Sequence, residues 1–416
     1  MNDPNVTQTL PLPLWEGVGG RGRLEVACEG GASLCGAPSP RPPPSRGGGE
    51  AGSDLRDRID QARQRTLLWL ESVRTPNGTF RISQAHNPNR WPGMLLPGTY
   101  NAVMCRHLLG EPAGPPSLLP WLLSHRQPDG IFRIPGMTPD AVFKKPDPIE
   151  TWRYIDFHVT NYSLGAIEAL DPHTTPILDF ACPFLEPLLL KAWLAERDLR
   201  DPWQEGNNIV NLGGFFLLMR RFGLADAAVI DRAMETLFAW HDRLQEPATG
   251  FWGVNQRDDS TAALHAMAGS MHNFHLWYAT GRPLPYQDKA VDYALSQPTG
   301  IASACIDVDL VDLLVHAHQL IDYRRPDTET WLRAKLTTLL DFQAGDGGFP
   351  DEMTGIRRQD GWVRGYEEPQ GLSNTFSTWF RWIAIGMIAD LLWPGWRKWR
   401  FRQMVGIGYR LEAPHD

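Results

Sequence analysis

The sequence predicts an all-α fold, an (α/α)6 toroid of six inner and six outer helices with a disordered N-terminal tail. Three observations predict it. First, a turn in which glycine is closely followed by an aromatic residue recurs four times. The copies are Pro76-Asn77-Gly78-Thr79-Phe80, Gln127-Pro128-Asp129-Gly130-Ile131-Phe132, Ala248-Thr249-Gly250-Phe251-Trp252 and Asp346-Gly347-Gly348-Phe349. Asn, Asp and Gly tolerate the positive φ that ends a helix, and the aromatic can then fold back on the last turn. Four copies mark an internal repeat. Second, the helical segments alternate in character. One set carries a single apolar stripe; the other is apolar nearly all round, as in a helix enclosed on most sides. Third, short and long connections alternate.

In chain order, residues 1–53 are rich in Gly, Pro and Arg, with runs such as Pro42-Pro43-Pro44 and Gly47-Gly48-Gly49. They cannot bury enough surface to offset ordering entropy and are expected to be disordered and without a function of their own. Residues 10–23 resemble translated intergenic sequence. The first outer helix is placed at about 54–75, on the stripe Leu55, Ile59, Ala62, Thr66, Trp69 and Val73. Further outer helices fall at about 115–126, 175–197, 225–246, 285–296 and 326–343, the fourth on Ile230, Ala233, Leu237, Trp240 and Leu244. Inner helices fall at about 96–109, 151–170, 205–222, 259–280, 303–322 and 372–392. The toroid domain thus spans 54–392, and 393–416 form a basic, aromatic C-terminal tail. An open helical solenoid is the alternative arrangement of the same pairs. Inner-to-outer links are short, as at Gly223-Leu224, whereas outer-to-inner links at about 76–95, 127–150 and 344–371 are long. Long ordered loops usually carry function. All of them leave where the inner helices begin, so that rim is expected to surround the pocket.

At 416 residues, 42% hydrophobic and with 17 Trp, the chain can bury a sizeable core. A net charge of −8 argues against general nucleic-acid binding, which needs a basic face. The five Cys form no CxxC pair, and Cys28 and Cys35 fall in the tail. A disulfide framework is therefore not expected, and a reducing, cytoplasmic compartment fits. No N-terminal segment resembles a signal peptide. The longest apolar stretch, 379–393, is interrupted by Arg381 and Asp390 and is too short to span a membrane. No phosphate-cradling glycine loop, dinucleotide fingerprint or nucleophile elbow is present.

The glycine-aromatic turns with alternating helices resemble the terpenoid cyclase and protein prenyltransferase superfamily, including squalene-hopene cyclases, over 54–392. Class II cyclases open an inner helix with Asp-x-Asp-Asp, whose middle Asp donates a proton. Asp307-Val308-Asp309-Leu310 matches except at its fourth position. The resemblance implies Asp309 as the acid and an isoprenoid or related lipid as substrate. Prenyltransferases hold zinc through Asp, Cys and His; Cys305, Asp307 and His272 supply those residue types in a different order.

On their own chemistry, Asp307, Asp309 and Asp312 place three carboxylates at the start of one apolar helix, with Asp309 and Asp312 on one face. A proton-donating carboxyl needs a raised pKa, which burial or a second carboxylate supplies. The bland alternative is a cluster that caps the helix. Glu205, Asn207, Asn208 and Asn211 form a polar collar on the third inner helix; Asp156 and His158 open the second, with His suited to acid–base work. His265, His272 and His275 lie on the fourth. No cofactor is expected; zinc or magnesium would need one or two ligands beyond His272 and His275. Arg357 and Arg358, with Arg133, Lys144, Lys145, Arg153, Arg257 and Arg364, make a cationic rim that suits an anionic substrate or simply solvated loops. Trp152, Trp203, Trp252 and Trp362 could hold a substrate through their ring faces or merely pack. The stretch Gly395–Arg402 interleaves aromatics with cations, which suits a membrane interface or a tail packed on the barrel's outside.

Three functions follow. The first is a terpenoid-cyclase-like or prenyltransferase-like enzyme with Asp309 as acid. The second is a carbohydrate-active hydrolase, lyase or epimerase on an acidic sugar, using paired carboxylates such as Asp156 or Glu205 with Asp309. The third is a non-catalytic toroid that binds a ligand at its mouth.

Overall fold

The computed structural model describes residues 50–137, 148–254, 261–351, 356–358, 366–369 and 371–411. Twelve α-helices alternate between two rings among these residues. They are α1 (Glu50–Ser72), α2 (Leu95–Leu108), α3 (Leu118–Leu123), α4 (Pro148–Leu170), α5 (Pro187–Ala195), α6 (Pro202–Phe222), α7 (Ala227–Leu244), α8 (Ala262–Thr280), α9 (Gln287–Ser296), α10 (Ala304–Leu320), α11 (Arg325–Asp341) and α12 (Thr375–Leu392). Odd numbers are outer and even numbers inner. Each even-numbered helix packs on the next, and α12 returns to α2, so the inner ring closes. Outside it, α1 packs on α11. Closure selects the toroid over the open solenoid. Two boundaries differ clearly from expectation: α1 starts at Glu50, inside the segment expected to be disordered, and the third outer helix, expected from about 175, begins as α5 only at Pro187. A two-stranded antiparallel hairpin, β1 (Ile356–Arg358) with β2 (Glu367–Pro369), interrupts the link to α12.

Local chemistry sets the helix ends. Ser303 Oγ accepts from Ile306 N to open α10, and Asn374 Oδ1 accepts from Ser377 N to open α12. Gly223 and Gly281 close α6 and α8 in the left-handed region, at φ 63° and 65°.

The recurring turn has a physical explanation. Its glycines, Gly78, Gly130, Gly250 and Gly347, all have positive φ, between 75° and 101°. The backbone then delivers an N–H to a hydroxyl on the next inner helix. Phe80 N donates to Thr99 Oγ1 at 3.0 Å and Phe132 N to Thr160 Oγ1 at 2.9 Å. Trp252 N donates to Ser270 Oγ at 2.8 Å and Phe349 N to Thr378 Oγ1 at 3.0 Å. Each turn thus fastens an outer helix to the inner helix that follows. Thr160→Val keeps the shape but orphans a buried N–H, and is expected to cost about 1–3 kcal/mol, read as a lowered urea midpoint. Thr160→Ser should stay near wild type.

The C-terminal segment closes the ring at the end opposite the long loops, touching all six inner helices. Arg400 N donates to Leu108 O on α2, and Arg402 Nη2 donates to Asn161 Oδ1 on α4 at 2.8 Å. Val405 lies against Gly214 of α6, and Tyr409 lies 5.8 Å from the His275 ring of α8. Leu411 N reaches His316 on α10, and Trp399 covers Gly386 of α12. This corrects the membrane-interface expectation: Trp399 and Arg402 are buried against the toroid's own helices rather than presented outward. No helix among the described residues is long and apolar enough to cross a membrane. Deleting 399–411 removes the buried Met404, Val405 and Ile407, uncovers the inner-helix surface beneath them, and is expected to lower the thermal midpoint by many degrees.

Candidate active site

Spacings of three, four and seven keep one face of each inner helix turned to the axis. Near the loop rim, Trp203 of α6 meets His265 of α8 edge-on at 5.5 Å. Deeper, His158 of α4 lies 5.6 Å from Tyr154 and 4.8 Å from Tyr162, ring to ring. His158 Nε2 and the Tyr162 hydroxyl are 3.1 Å apart. Tyr162 in turn packs on Tyr100 of α2 at 5.5 Å and Trp379 of α12 at 5.6 Å. His272 Nε2 of α8 lies 3.8 Å from Asp309 Oδ1 of α10. All six inner helices therefore contribute to one polar axis.

Asp309 is fully buried, and neither carboxyl oxygen has a hydrogen-bond partner among the described residues. Burial, and then the charge of Asp312, push its pKa well above the ordinary carboxylate range. Burial drives His272 down to about 3, with the charge of His275 adding to the effect. His158 falls well below its usual value through burial and the nearby His272. These two imidazoles are therefore neutral at neutral pH, and the carboxyl holds its proton to higher pH than an exposed aspartate does. The 3.8 Å separation is too long for a hydrogen bond, so His272 faces the acid without capturing its proton.

The other expected residues fall elsewhere. Asp307 is buried between Lys335 of α11 and Arg381 of α12, both of which donate to its carboxylate. Glu205 is buried in an ion pair with Arg197 at 3.1 Å and accepts from Asn208 Nδ2 at 3.1 Å. Asp156 receives two hydrogen bonds from Arg133, at 2.9 and 2.7 Å. These three carboxylates are engaged by cations. Trp252 sits within the wall, its indole N–H donating to His241 O of α7 at 2.8 Å. Asn207 bonds back to Trp203 O at 3.0 Å, while Asn211 makes no side-chain hydrogen bond among the described residues. The side chains of Trp152, Arg357 and Arg358 lie outside the described ones, and Lys144, Lys145, Arg257, Trp362 and Arg364 lie outside the described residues.

Among the described residues, His275, Asp312 and His316 bring possible ligand atoms within 4.8 Å of one another. Leu411 N–H donates to His316 Nε2, which leaves the proton on Nδ1; that N–H points at Asp312 Oδ1, 2.9 Å away. A nitrogen that carries a proton offers no lone pair to a cation, so this group forms a hydrogen-bonded cluster. Nor do Cys305, Asp307 and His272 assemble a zinc set, because Asp307 is enclosed by Lys335 and Arg381.

Sequence reasoning missed Tyr162, His316 and Tyr278. The first two carried a signal: each lies four residues beyond a titratable partner on an apolar helix, Tyr162 after His158 and His316 after Asp312.

Fold and site together define an (α/α)6 toroid with buried titratable side chains on its axis. No family model matches the chain, and no curated protein matches it. Among solved structures, it is similar to the GH76A α-1,6-mannanase of Salegentibacter sp. HEL1_6, at 16% identity and a TM-score of 0.44, over 82% of this chain and 100% of that one. It is also similar to an inactive variant of that mannanase bound to α-1,6-mannotriose, at 15% identity and a TM-score of 0.38, over 82% and 99%. At these scores the likenesses transfer no residue roles. The expected likeness to terpenoid cyclases, prenyltransferases and squalene-hopene cyclase repeats is corrected: the structures found are sugar-chain hydrolases. A physical reason accompanies the correction. One Asp of the Asp-x-Asp element, Asp307, is closed off in ion pairs, and the axis around Asp309 is lined by His, Tyr and Asn as well as aromatic carbon.

Proposed function

We propose that the protein is a carbohydrate-active enzyme whose axial site binds part of a glycan and uses Asp309 as general acid. One observation carries the reading: a buried carboxyl without a hydrogen-bond partner, surrounded by neutral histidines and hydroxyl and amide groups. Leaving such a group buried and unsatisfied costs about 1–3 kcal/mol, which packing alone gives no reason to sustain. Polar groups at this depth suit sugar hydroxyls, while Trp203 and Tyr154 near the rim offer ring faces for stacking.

In the proposed reaction Asp309 gives its proton to the departing sugar oxygen as the bond breaks. The neutral imidazole of His158 takes a proton from the attacking water and returns it to Asp309 at the end of the cycle. Asn211 and Tyr162 orient hydroxyls. The reaction as drawn uses no cofactor.

Incubating the protein with a panel of neutral and acidic glycans, with mass spectrometry of the products, tests the reading. Product formation that disappears in Asp309→Asn supports it. Glycan turnover that survives this substitution removes Asp309 from the mechanism.

A further inference from the structure

Beneath the acid lies a second layer that the proposed chemistry does not use. Asp312 follows Asp309 by one turn of α10, on the same face, and is fully buried. Its Oδ1 accepts from His275 Nε2 at 2.8 Å and from His316 Nδ1 at 2.9 Å, and both rings are fully buried. The C-terminal segment sets the His316 tautomer, since Leu411 N–H donates to Nε2 at 3.3 Å. Tyr278 stacks on the His316 ring at 4.6 Å, and Tyr409 lies parallel to it at 6.5 Å, so the ring plane is held. Arg410, also from the C-terminal segment, adds a positive charge that Asp312 feels.

Two carboxyls on one helix face thus differ in their hydrogen bonds. Asp312 receives two hydrogen bonds from histidines, whereas Asp309 receives none among the described residues. Burial alone would raise Asp312, yet His275 and His316, each donating a hydrogen bond to its carboxylate, outweigh it and hold its pKa below the ordinary carboxylate range. The groups facing Asp309 are His272 from α8, Tyr162 from α4 and Asp312 from its own helix. Those facing Asp312 are His272, His275 and Tyr278 from α8, His316 and Asp309 from α10, and Arg410 from the C-terminal segment. Among these, Asp312 is the standing anion.

We infer that the His275–Asp312–His316 clamp, seated on the C-terminal segment, is a positioning device whose fixed negative charge keeps the proton on Asp309. The inference rests on the reading of Asp309 as proton donor. It also gives the C-terminal segment a part in the chemistry, through Leu411 and the His316 tautomer.

Difference infrared spectroscopy can follow the Asp309 carboxyl against pH without any substrate, by subtracting the Asp309→Asn spectrum. Asp312→Asn keeps the size and an acceptor oxygen but removes the charge. It is expected to move the Asp309 midpoint down by about 1–2 pH units. A folded Asp312→Asn protein with an unmoved midpoint overturns the inference. Should that variant fail to fold, His316→Gln carries the test: a smaller downward shift supports the clamp, and an unmoved midpoint overturns it. The two readings fail separately. A shifted midpoint in a protein that turns over no glycan upholds the clamp and sinks the proposed function. An active glycan enzyme with an unmoved midpoint does the reverse.

Discussion

Asp309→Asn is expected to slow turnover of a glycan substrate by about 10²–10⁴-fold while leaving the melting temperature close to wild type. Asparagine has the size of a protonated aspartate but cannot give up its proton to a leaving group. The stability side is equally specific. Burial and the neighbouring Asp312 raise the folded pKa of Asp309 above its unfolded value. The folded state therefore retains a proton that the unfolded chain releases above about pH 4. The unfolded state binds fewer protons across that interval, so stability falls as pH rises from the unfolded pKa to the folded one. Asp309→Leu removes this dependence along with an unsatisfied polar group. Its urea midpoint should exceed that of wild type by a margin that grows with pH over the interval and is flat below it. A margin that shrank with rising pH would mean that Asp309 is a stabilising carboxylate, and the acid assignment would be lost. Catalysis follows the same proton, so the rate should fall as pH rises through the folded pKa. This pairing, a substitution that costs the reaction and benefits the fold, separates a functional group from a structural one.

The fold was legible because its signals are local and repeated. The glycine turns mark helix ends by backbone conformation, and alternating amphipathic and apolar segments mark outer and inner rings. Both depend on neighbours within a few residues. What the sequence could not show is which cation meets which carboxylate. Asp307 and Asp309 are two residues apart and chemically identical, yet Asp307 meets Lys335 and Arg381 at separations of 28 and 74 residues. Glu205 and Asp156 looked equally available until Arg197 and Arg133 were found on them. The C-terminal segment misled for a related reason. Its interleaved Trp and Arg describe any surface that is apolar and hydrogen-bonding at once, and the closed end of this toroid is such a surface. His158, His272 and Asp309 do come together, because each faces the axis from a helix whose direction the repeat already fixes.

Asp307→Ala is expected to be the most destabilising of these substitutions, by about 3–5 kcal/mol, since removing one partner of a buried ion pair leaves an uncompensated charge. Here it leaves two. Lys335 and Arg381 are both fully buried. They are tied to the same turn before α10: Lys335 Nζ donates to Gly300 O at 2.6 Å, and Arg381 Nη2 donates to Ala302 O at 2.9 Å. Asp307 closes this arrangement by accepting from Ala302 N at 3.2 Å. The cluster joins α10, α11 and α12 at the rim end of the toroid, where α10 begins its descent toward Asp309. Its expected signature is strong coupling. Lys335→Met should cost much less in an Asp307→Asn background than in wild type, because in that background the buried lysine has lost its counter-charge. Equilibrium urea unfolding of the two single variants and the double variant measures this directly. Additive costs would show that the three groups do not act as a unit. An Asp307→Ala protein with a wild-type midpoint and no turnover would instead return Asp307 to the catalytic set. With coupling, α10 carries three aspartates in three different settings: one paired with cations at the rim, one buried without a hydrogen-bond partner on the axis, and one hydrogen-bonded by histidines below. Their differences come from what the other five inner helices, the outer ring and the C-terminal segment bring against each of them.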